Sequence, residues 1–151
     1  MKISIICVLL FICSGSLFGQ VNFGAGAQIS FDNGSAFGIQ GKALYEIDET
    51  WRGAGTFTFY FDEFLDFSID LDAQYKLIKV SDNFDLAPLA GLNITRGSVS
   101  IFGFSESATD VGINIGAFLD FVPSDSYHIY VEPKIVLGGL GSLVISGGIL
   151  F

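Results

Sequence analysis

Apolar residues alternate with small or polar ones along most of this chain. Between Val21 and Phe31 every odd position is apolar, and every even position is Asn, Gly, Gln or Ser. A period of two is that of a β-strand with one apolar face, because successive side chains point to opposite sides of the strand. The pattern predicts eight strands of roughly ten residues, at 21–31, 37–47, 51–61, 65–77, 84–94, 111–121, 127–137 and 143–151. The fold class predicted is therefore all-β.

The first 19 residues differ from the rest. Lys2 precedes an apolar run from Ile3 to Cys13, and small residues follow up to Gly19. This order is typical of a secretory signal peptide, with cleavage expected before Gln20. The domains predicted are thus a signal peptide at 1–19 and a β-barrel at 20–151. Both cysteines lie in the signal peptide, so the mature chain is expected to have no disulfide and no cysteine-bound metal.

Charge and hydrophobicity together restrict the class of protein. Sixteen acidic residues against seven basic ones give a net charge of -9, which excludes the basic surface that nucleic-acid binding needs. Half of the residues are hydrophobic and only 15% are charged, which is too apolar for an ordinary cytosolic enzyme. In the eight predicted strands, no charged residue falls on an apolar face. The apolar faces are therefore expected to contact lipid, and a sheet in lipid must close so that it has no unpaired edge.

Aromatic residues recur at one end of the predicted barrel. If both termini lie on one side, each strand contributes one outward aromatic residue at that end, as a girdle at a membrane interface would. The predicted girdle consists of Phe23, Tyr45, Trp51, Tyr75, Phe84, Phe121, Tyr127 and Phe151.

The polar strand faces carry charges of both signs. Asp66, Asp70 and Asp72 alternate along the fourth strand and so point the same way. Acid–base chemistry or calcium binding is one interpretation, but lysines on other polar faces favour an ion-pair network inside the barrel. The predicted network consists of Lys42, Asp66, Asp70, Asp72, Lys76, Glu132 and Lys134. No catalytic, cofactor-binding or metal-binding residue is predicted.

Three features of the sequence do not fit eight regular strands without further explanation. Residues 96–108 are the one stretch long enough for a substantial surface loop. Pro88 and Pro133 fall on outward strand faces, where a missing N–H is unfavourable unless a bulge absorbs it. The uncharged run 135–151 is long enough for a short membrane helix, but its glycines and β-branched residues favour a hairpin whose turn is 138–141.

The whole mature chain resembles the small eight-stranded outer-membrane β-barrel proteins, similar in plan to OmpX and the OmpA membrane domain. The resemblance includes the signal peptide, the alternation, the segment Gly112–Gly116, and a last strand that ends in Phe151. It implies secretion to the periplasm of a Gram-negative bacterium and insertion into the outer membrane as a monomer. The implied partners are outer-membrane lipid and the barrel-insertion machinery, which would recognise the terminal Phe.

The function expected is that of a non-enzymatic integral outer-membrane barrel with an envelope-structural or surface-binding role, the latter through residues 96–108. In lipid A deacylases of this membrane a Ser stands two residues from the catalytic His, whereas here Tyr130 follows the single histidine, His128. His128 is therefore interpreted as a hydrogen-bonding residue. Two alternatives remain open, a narrow cation-preferring pore for small solutes and a secreted soluble β-barrel that binds an apolar ligand.

Overall fold

The strands form as the alternation predicts, with two changes. The computed structural model describes residues 21–32, 34–76, 78–81, 83–101, 104–124, 126–138 and 141–151, so the predicted signal peptide lies outside the described residues. The strands in these ranges are β1 (Val21–Asp32), β2 (Gly34–Glu46), β3 (Trp51–Tyr60), β4 (Leu65–Tyr75), β5 (Ile78–Ser81), β6 (Phe84–Ile101), β7 (Phe104–Ser124), β8 (Tyr127–Leu137) and β9 (Ser142–Leu150). The changes are the separate β5 and the length of β6 and β7.

The sheet closes on itself. Every strand pairs antiparallel with its neighbours, the first strand pairs with the last, and β4 also pairs with β6. Because β5 pairs with β6 just beyond the end of β4, these two segments share one position in the ring. The predicted closed antiparallel barrel of eight strands is confirmed. We call the end that carries Val21 and Phe151 the near rim and the opposite end the far rim.

Side chains divide between the two faces according to the period of two. In β2 the exposed residues Phe37, Ile39 and Tyr45 alternate with the buried residues Gln40 and Lys42. The outer face is thus a belt of Phe, Ile, Leu and Val, and the interior contains most of the buried polar side chains. Among the described residues there is no helix long and apolar enough to cross a membrane.

The predicted loop at 96–108 is wrong, because these residues extend β6 and β7 into a hairpin. The two strands pair without interruption from Phe84↔Phe121 to Ile101↔Phe104. Pairing of β6 with β4 ends at Gly97, and pairing of β7 with β8 ends at Ile113. The hairpin therefore extends past both neighbouring strands at the far rim. Arg96 lies in β6 two residues beyond Ile94 and on the same outward face, with an exposed side chain whose Nη2 donates to Ser107 Oγ at 3.3 Å. The expectation that no charge falls on an apolar strand face is therefore wrong at this position, because the strand is longer than the alternation predicts.

The two prolines do not produce bulges. Pro88 pairs with Ala117 in an unshifted register, and on its other side it lies between the end of the β4 ladder and the start of the β5 ladder. Pro133 keeps the register of β8 on both sides, but the β7–β8 ladder lacks two consecutive pairs, that of Pro133 itself and that of Glu132. A gap in the ladder leaves each following side chain on its own face, whereas a shift of one residue would exchange the faces.

The end of the chain is the predicted hairpin rather than a helix. Gly138 and Gly141 have backbone φ angles of 92° and 57°, which residues other than glycine rarely adopt. The Gly141 N–H donates to the Gly138 carbonyl at 3.1 Å, which closes the turn. Residues 139 and 140 lie outside the described residues.

Gly91 offers a test of how closely β4 and β6 approach each other. It pairs with Asp72, and a Cβ added to Gly91 would overlap the Leu71 carbonyl oxygen and lie 2.6 Å from the Asp72 Cα. Since these are backbone atoms of a closed sheet, we expect Gly91→Ala to lower the free energy of unfolding by about 1–3 kcal/mol. Urea unfolding in phospholipid vesicles measures this change.

Gly41 is the matched control for this substitution. An added Cβ there meets nothing within 4 Å, so Gly41→Ala should leave the free energy of unfolding almost unchanged. Equal losses for the two variants would contradict the register of the β4–β6 pairing.

Candidate functional site

A cluster of buried charges occupies the middle of the barrel interior. The ammonium of Lys134 lies 3.2 Å from Asp70 Oδ1, 3.6 Å from Asp72 Oδ2 and 3.4 Å from Glu132 Oε1. Lys42 Nζ donates to Glu132 Oε2 at 2.6 Å. These residues come from β2, β4 and β8, whose polar faces the closed sheet turns toward one another. The five residues form what we call the central cluster.

Amide side chains support the two aspartates of the central cluster. Asn93 Nδ2 donates to Asp70 Oδ1 at 2.8 Å. Asn114 Nδ2 donates to Asp70 Oδ1 and to Asp72 Oδ1, both at 2.8 Å. The charged side chains are at most 1% exposed, so each charge depends on these partners in place of water. Three carboxylates thus share two lysines in a water-poor interior.

Two stacked rings lie beside the central cluster. Phe118 and Tyr130 pack with their centroids 5.4 Å apart and an angle of 12° between the rings. Lys42 Nζ lies 5.3 Å from the Tyr130 centroid, and the Arg52 guanidinium carbon lies 4.6 Å from that of Phe118. Lys42 Nζ is also 5.6 Å from the Phe118 centroid, so both cations lie close to this ring pair, whose negative faces favour them.

A second set of charges lies toward the near rim. Arg52 Nη1 is 3.5 Å from Asp120 Oδ2 and 3.7 Å from Glu46 Oε1. Glu46 also pairs with Lys76, and Asp120 Oδ1 lies 3.2 Å from His128 Nδ1. His128 thus lies within hydrogen-bonding distance of Asp120, the carboxylate that Arg52 also contacts. This set is the near-rim cluster.

The seven residues of the predicted network divide among three places. Five of them form the central cluster, namely Lys42, Asp70, Asp72, Glu132 and Lys134. Lys76 belongs to the near-rim cluster. Asp66 lies toward the far rim, where Ser98 Oγ donates to its Oδ1 at 2.9 Å. The described residues contain no group of three or more His, Cys, Asp or Glu side chains that could hold a metal ion.

Sequence reasoning missed several interior residues. Arg52, Glu46 and Asp120 join the near-rim cluster; each stands at an even position of its strand, where side chains point inward, but alternation alone does not show that the three meet. Phe118 is fully buried, and its even position in β7 was the available signal, since Asn114 and Asp120 share that parity and are buried too.

The eight predicted girdle residues all lie toward the near rim. Six of them are exposed, and Tyr75 and Phe84 are half-buried. Pairing places Trp51 opposite Tyr75 and Phe84 opposite Phe121, and the Trp51 and Tyr75 rings are 4.8 Å apart. At the far rim Phe37, Phe59 and Phe61 form ring contacts on the outer face.

Lys134 provides the most direct test of the central cluster. Lys134→Met would leave three buried carboxylates with Lys42 alone, so we expect a loss of about 3–5 kcal/mol in the free energy of unfolding. The measurement is urea unfolding in vesicles. In Lys134→Met/Asp72→Asn one surplus charge is removed as well, and part of the stability should return.

The matched control is Lys76→Met, which removes another interior lysine. Its side chain is 27% exposed, so the expected loss is only about 0–1 kcal/mol. The importance of the central cluster would be contradicted if the two lysine variants lost the same stability.

Comparison with known proteins gives a match at the level of fold. No protein-family model matches the chain, and no curated protein matches it in sequence. The N-terminal β-barrel domain of Pseudomonas aeruginosa OprF superposes with a TM-score of 0.70 at 18% identity, covering 86% of this chain and 96% of that one. Neisserial surface protein A superposes with a TM-score of 0.65 at 20% identity and covers 86% and 94%.

A third solved structure has the same architecture. The attachment invasion locus protein Ail of Yersinia pestis superposes with a TM-score of 0.56 at 21% identity, covering 87% of this chain and 97% of Ail. At the level of the fold, these matches confirm the resemblance to small eight-stranded outer-membrane barrels.

Proposed function

We propose that this protein is a non-enzymatic outer-membrane barrel that presents the β6/β7 hairpin at the cell surface. The single observation that carries the proposal is the hairpin itself, because it extends past both neighbouring strands on an otherwise short-turned barrel. The near rim then faces the periplasm and the far rim faces the outside. The barrel-insertion machinery and outer-membrane lipid are its proposed partners, and it acts as a monomer.

The outer face supports the membrane location. It exposes large apolar side chains from each of the eight barrel positions, for example Ile39, Phe57 and Ile115, each at least 50% exposed. A soluble protein seldom leaves a continuous apolar surface of this extent in water. A closed sheet that satisfies its own backbone groups is the β-structure that lipid accepts.

The hairpin supports a surface-binding role. Beyond the last pair with β8, the strand from Phe104 to Gly112 is paired on one edge only in the described residues. An edge with free N–H and C=O groups can accept an additional strand, and the backbone then provides affinity. The exposed side chains Ser107, Ala108 and Thr109 are small enough to let another chain approach closely.

The interior argues against the two alternatives. The central cluster, the stacked rings and the near-rim cluster fill successive levels of the lumen, which disfavours a pore. The lumen is also lined mainly by polar side chains, which disfavours a soluble carrier of an apolar ligand. In planar bilayers the wild-type protein should show no steady channels, and steady cation-selective channels would favour the pore instead.

Surface labelling tests the location and the orientation. Both native cysteines precede Gln20, so a single cysteine can be introduced into the mature chain without background. Ser107→Cys should react with a membrane-impermeant maleimide on intact cells. Glu49→Cys, in the turn between β2 and β3, should react only after the envelope is permeabilised. The reverse order of labelling would overturn the orientation, and equal labelling in the culture medium would indicate a secreted protein.

A shortened hairpin separates surface binding from an envelope-structural role. Replacing residues 99–106 by Asn-Gly leaves every pair that closes the barrel in place, since β6 pairs with β4 no further than Gly97. The variant should show the same heat-modifiable migration on a gel as the wild type. We expect adhesion of the cells to immobilised extracellular proteins to fall to background.

The control for adhesion is Glu49→Gln at the opposite rim, which should adhere like the wild type. Unchanged adhesion of the shortened variant, together with increased sensitivity of its cells to detergent, would contradict surface binding and favour an envelope-structural role.

A further inference from the structure

A groove runs across the outer wall at the near rim, where the ladder between β4 and β6 ends. Its floor consists of Ala73 and Ala90, which pair with each other, and of Pro88, which has no N–H to continue the ladder. One wall consists of the Trp51 and Tyr75 rings. Small side chains beside large rings thus leave a depression in an otherwise bulky apolar belt.

One end of the groove is acidic. Asp48 lines it from the turn between β2 and β3, and its side chain is exposed. The backbone N–H groups of Thr50 and Trp51 donate to Asp48 Oδ1, both at 2.7 Å. These two hydrogen bonds hold the pKa of Asp48 below its usual range, so the carboxylate is charged at neutral pH.

Two cations stand next to groove residues in the sequence, and Arg52, which follows Trp51, pairs with Asp120 and Glu46. Lys76, which follows Tyr75, pairs with Glu46, and its charge also helps to lower the pKa of Asp48 without a direct ion pair. Glu49 adds a second exposed carboxylate to the same turn. The groove therefore combines an apolar floor, an aromatic wall and a negatively charged end.

We propose that this groove binds one phospholipid whose headgroup carries a primary ammonium. The acyl chain lies on Ala73, Pro88 and Ala90, and the ammonium contacts the Asp48 carboxylate next to the face of Trp51. The assignment rests on the proposed function, because it requires the aromatic level of the near rim to lie at a membrane interface. An anionic headgroup would be repelled by Asp48 and Glu49.

Native mass spectrometry of the purified full barrel tests the headgroup preference. The protein is mixed with equal amounts of phosphatidylethanolamine, phosphatidylcholine and phosphatidylglycerol that share the same acyl chains. We expect one phosphatidylethanolamine to be retained per barrel in preference to the others. Asp48→Asn should reduce that preference about fivefold, as the loss of one exposed ion pair would. The amide oxygen of Asn still accepts the two turn hydrogen bonds.

Asp62→Asn is the matched control at the far rim. Asp62 Oδ1 accepts the N–H groups of Phe64 and Leu65 at 2.8 and 3.3 Å, so it closes a turn of the same kind. The headgroup preference of this variant should equal that of the wild type. The proposal would be overturned by an absent preference in the wild type, by an unchanged preference in Asp48→Asn, or by equal losses in both variants.

Ala90→Phe tests the floor of the groove. A phenyl ring there should displace the retained lipid whatever its headgroup, whereas Ala27→Phe, on the exposed face of β1, should retain it. Retention by Ala90→Phe at the wild-type level would identify the lipid as nonspecific and overturn the site. If the cysteine labelling succeeds and these lipid measurements fail, only the groove is overturned and the proposed function stands.

Discussion

The pairing of β4 with β6 is the contact on which the rest of the structure depends, because it turns a sheet with two edges into a closed barrel. Once the ring is closed, most backbone N–H and C=O groups of the described strands face a partner in the next strand. Side chains then have only two environments, the outer face and a narrow interior. The position of every charge in a strand is set by that division.

In the narrow interior, the charged side chains are stabilised by one another instead of by water. Lys134 and Glu132 stand two residues apart on β8, so both point inward, and a slip of one residue would turn both outward together. Moving these two charges into an apolar environment would be costly, and this cost helps to hold the register of the strand. Pro133 lies between these two residues, which explains why the strand keeps its register there and leaves a gap in the ladder instead of a bulge.

Parity predicted the faces but could not predict heights along the barrel axis. The sequence places Lys42, Lys76 and Lys134 on inward faces alike, yet Lys76 meets Glu46 near the rim while the other two join the central cluster. Which inward residues meet depends on the stagger between strands that are distant in sequence, and alternation within one strand contains no information on that stagger. The hairpin was missed for a related reason. Its Ser and Gly residues weaken the alternation, so the pattern beyond Ile94 is typical of a loop even though β6 and β7 remain paired up to Ile101↔Phe104.

The filled centre also determines where recognition can occur on this molecule. The central cluster, the rings of Phe118 and Tyr130, and the near-rim cluster occupy the middle and the near end of the lumen, and a cavity lined by residues such as Tyr60 and Asn93 lies at the far end. A ligand or partner must therefore bind at a rim or on the outer wall. Two places where the wall departs from a regular closed sheet are the far-rim hairpin, where β6 and β7 extend beyond their neighbours, and the groove at Pro88, where a ladder stops. They lie at opposite ends and share no strand pairing other than that of β6 with β7, so a change in one should leave the other intact.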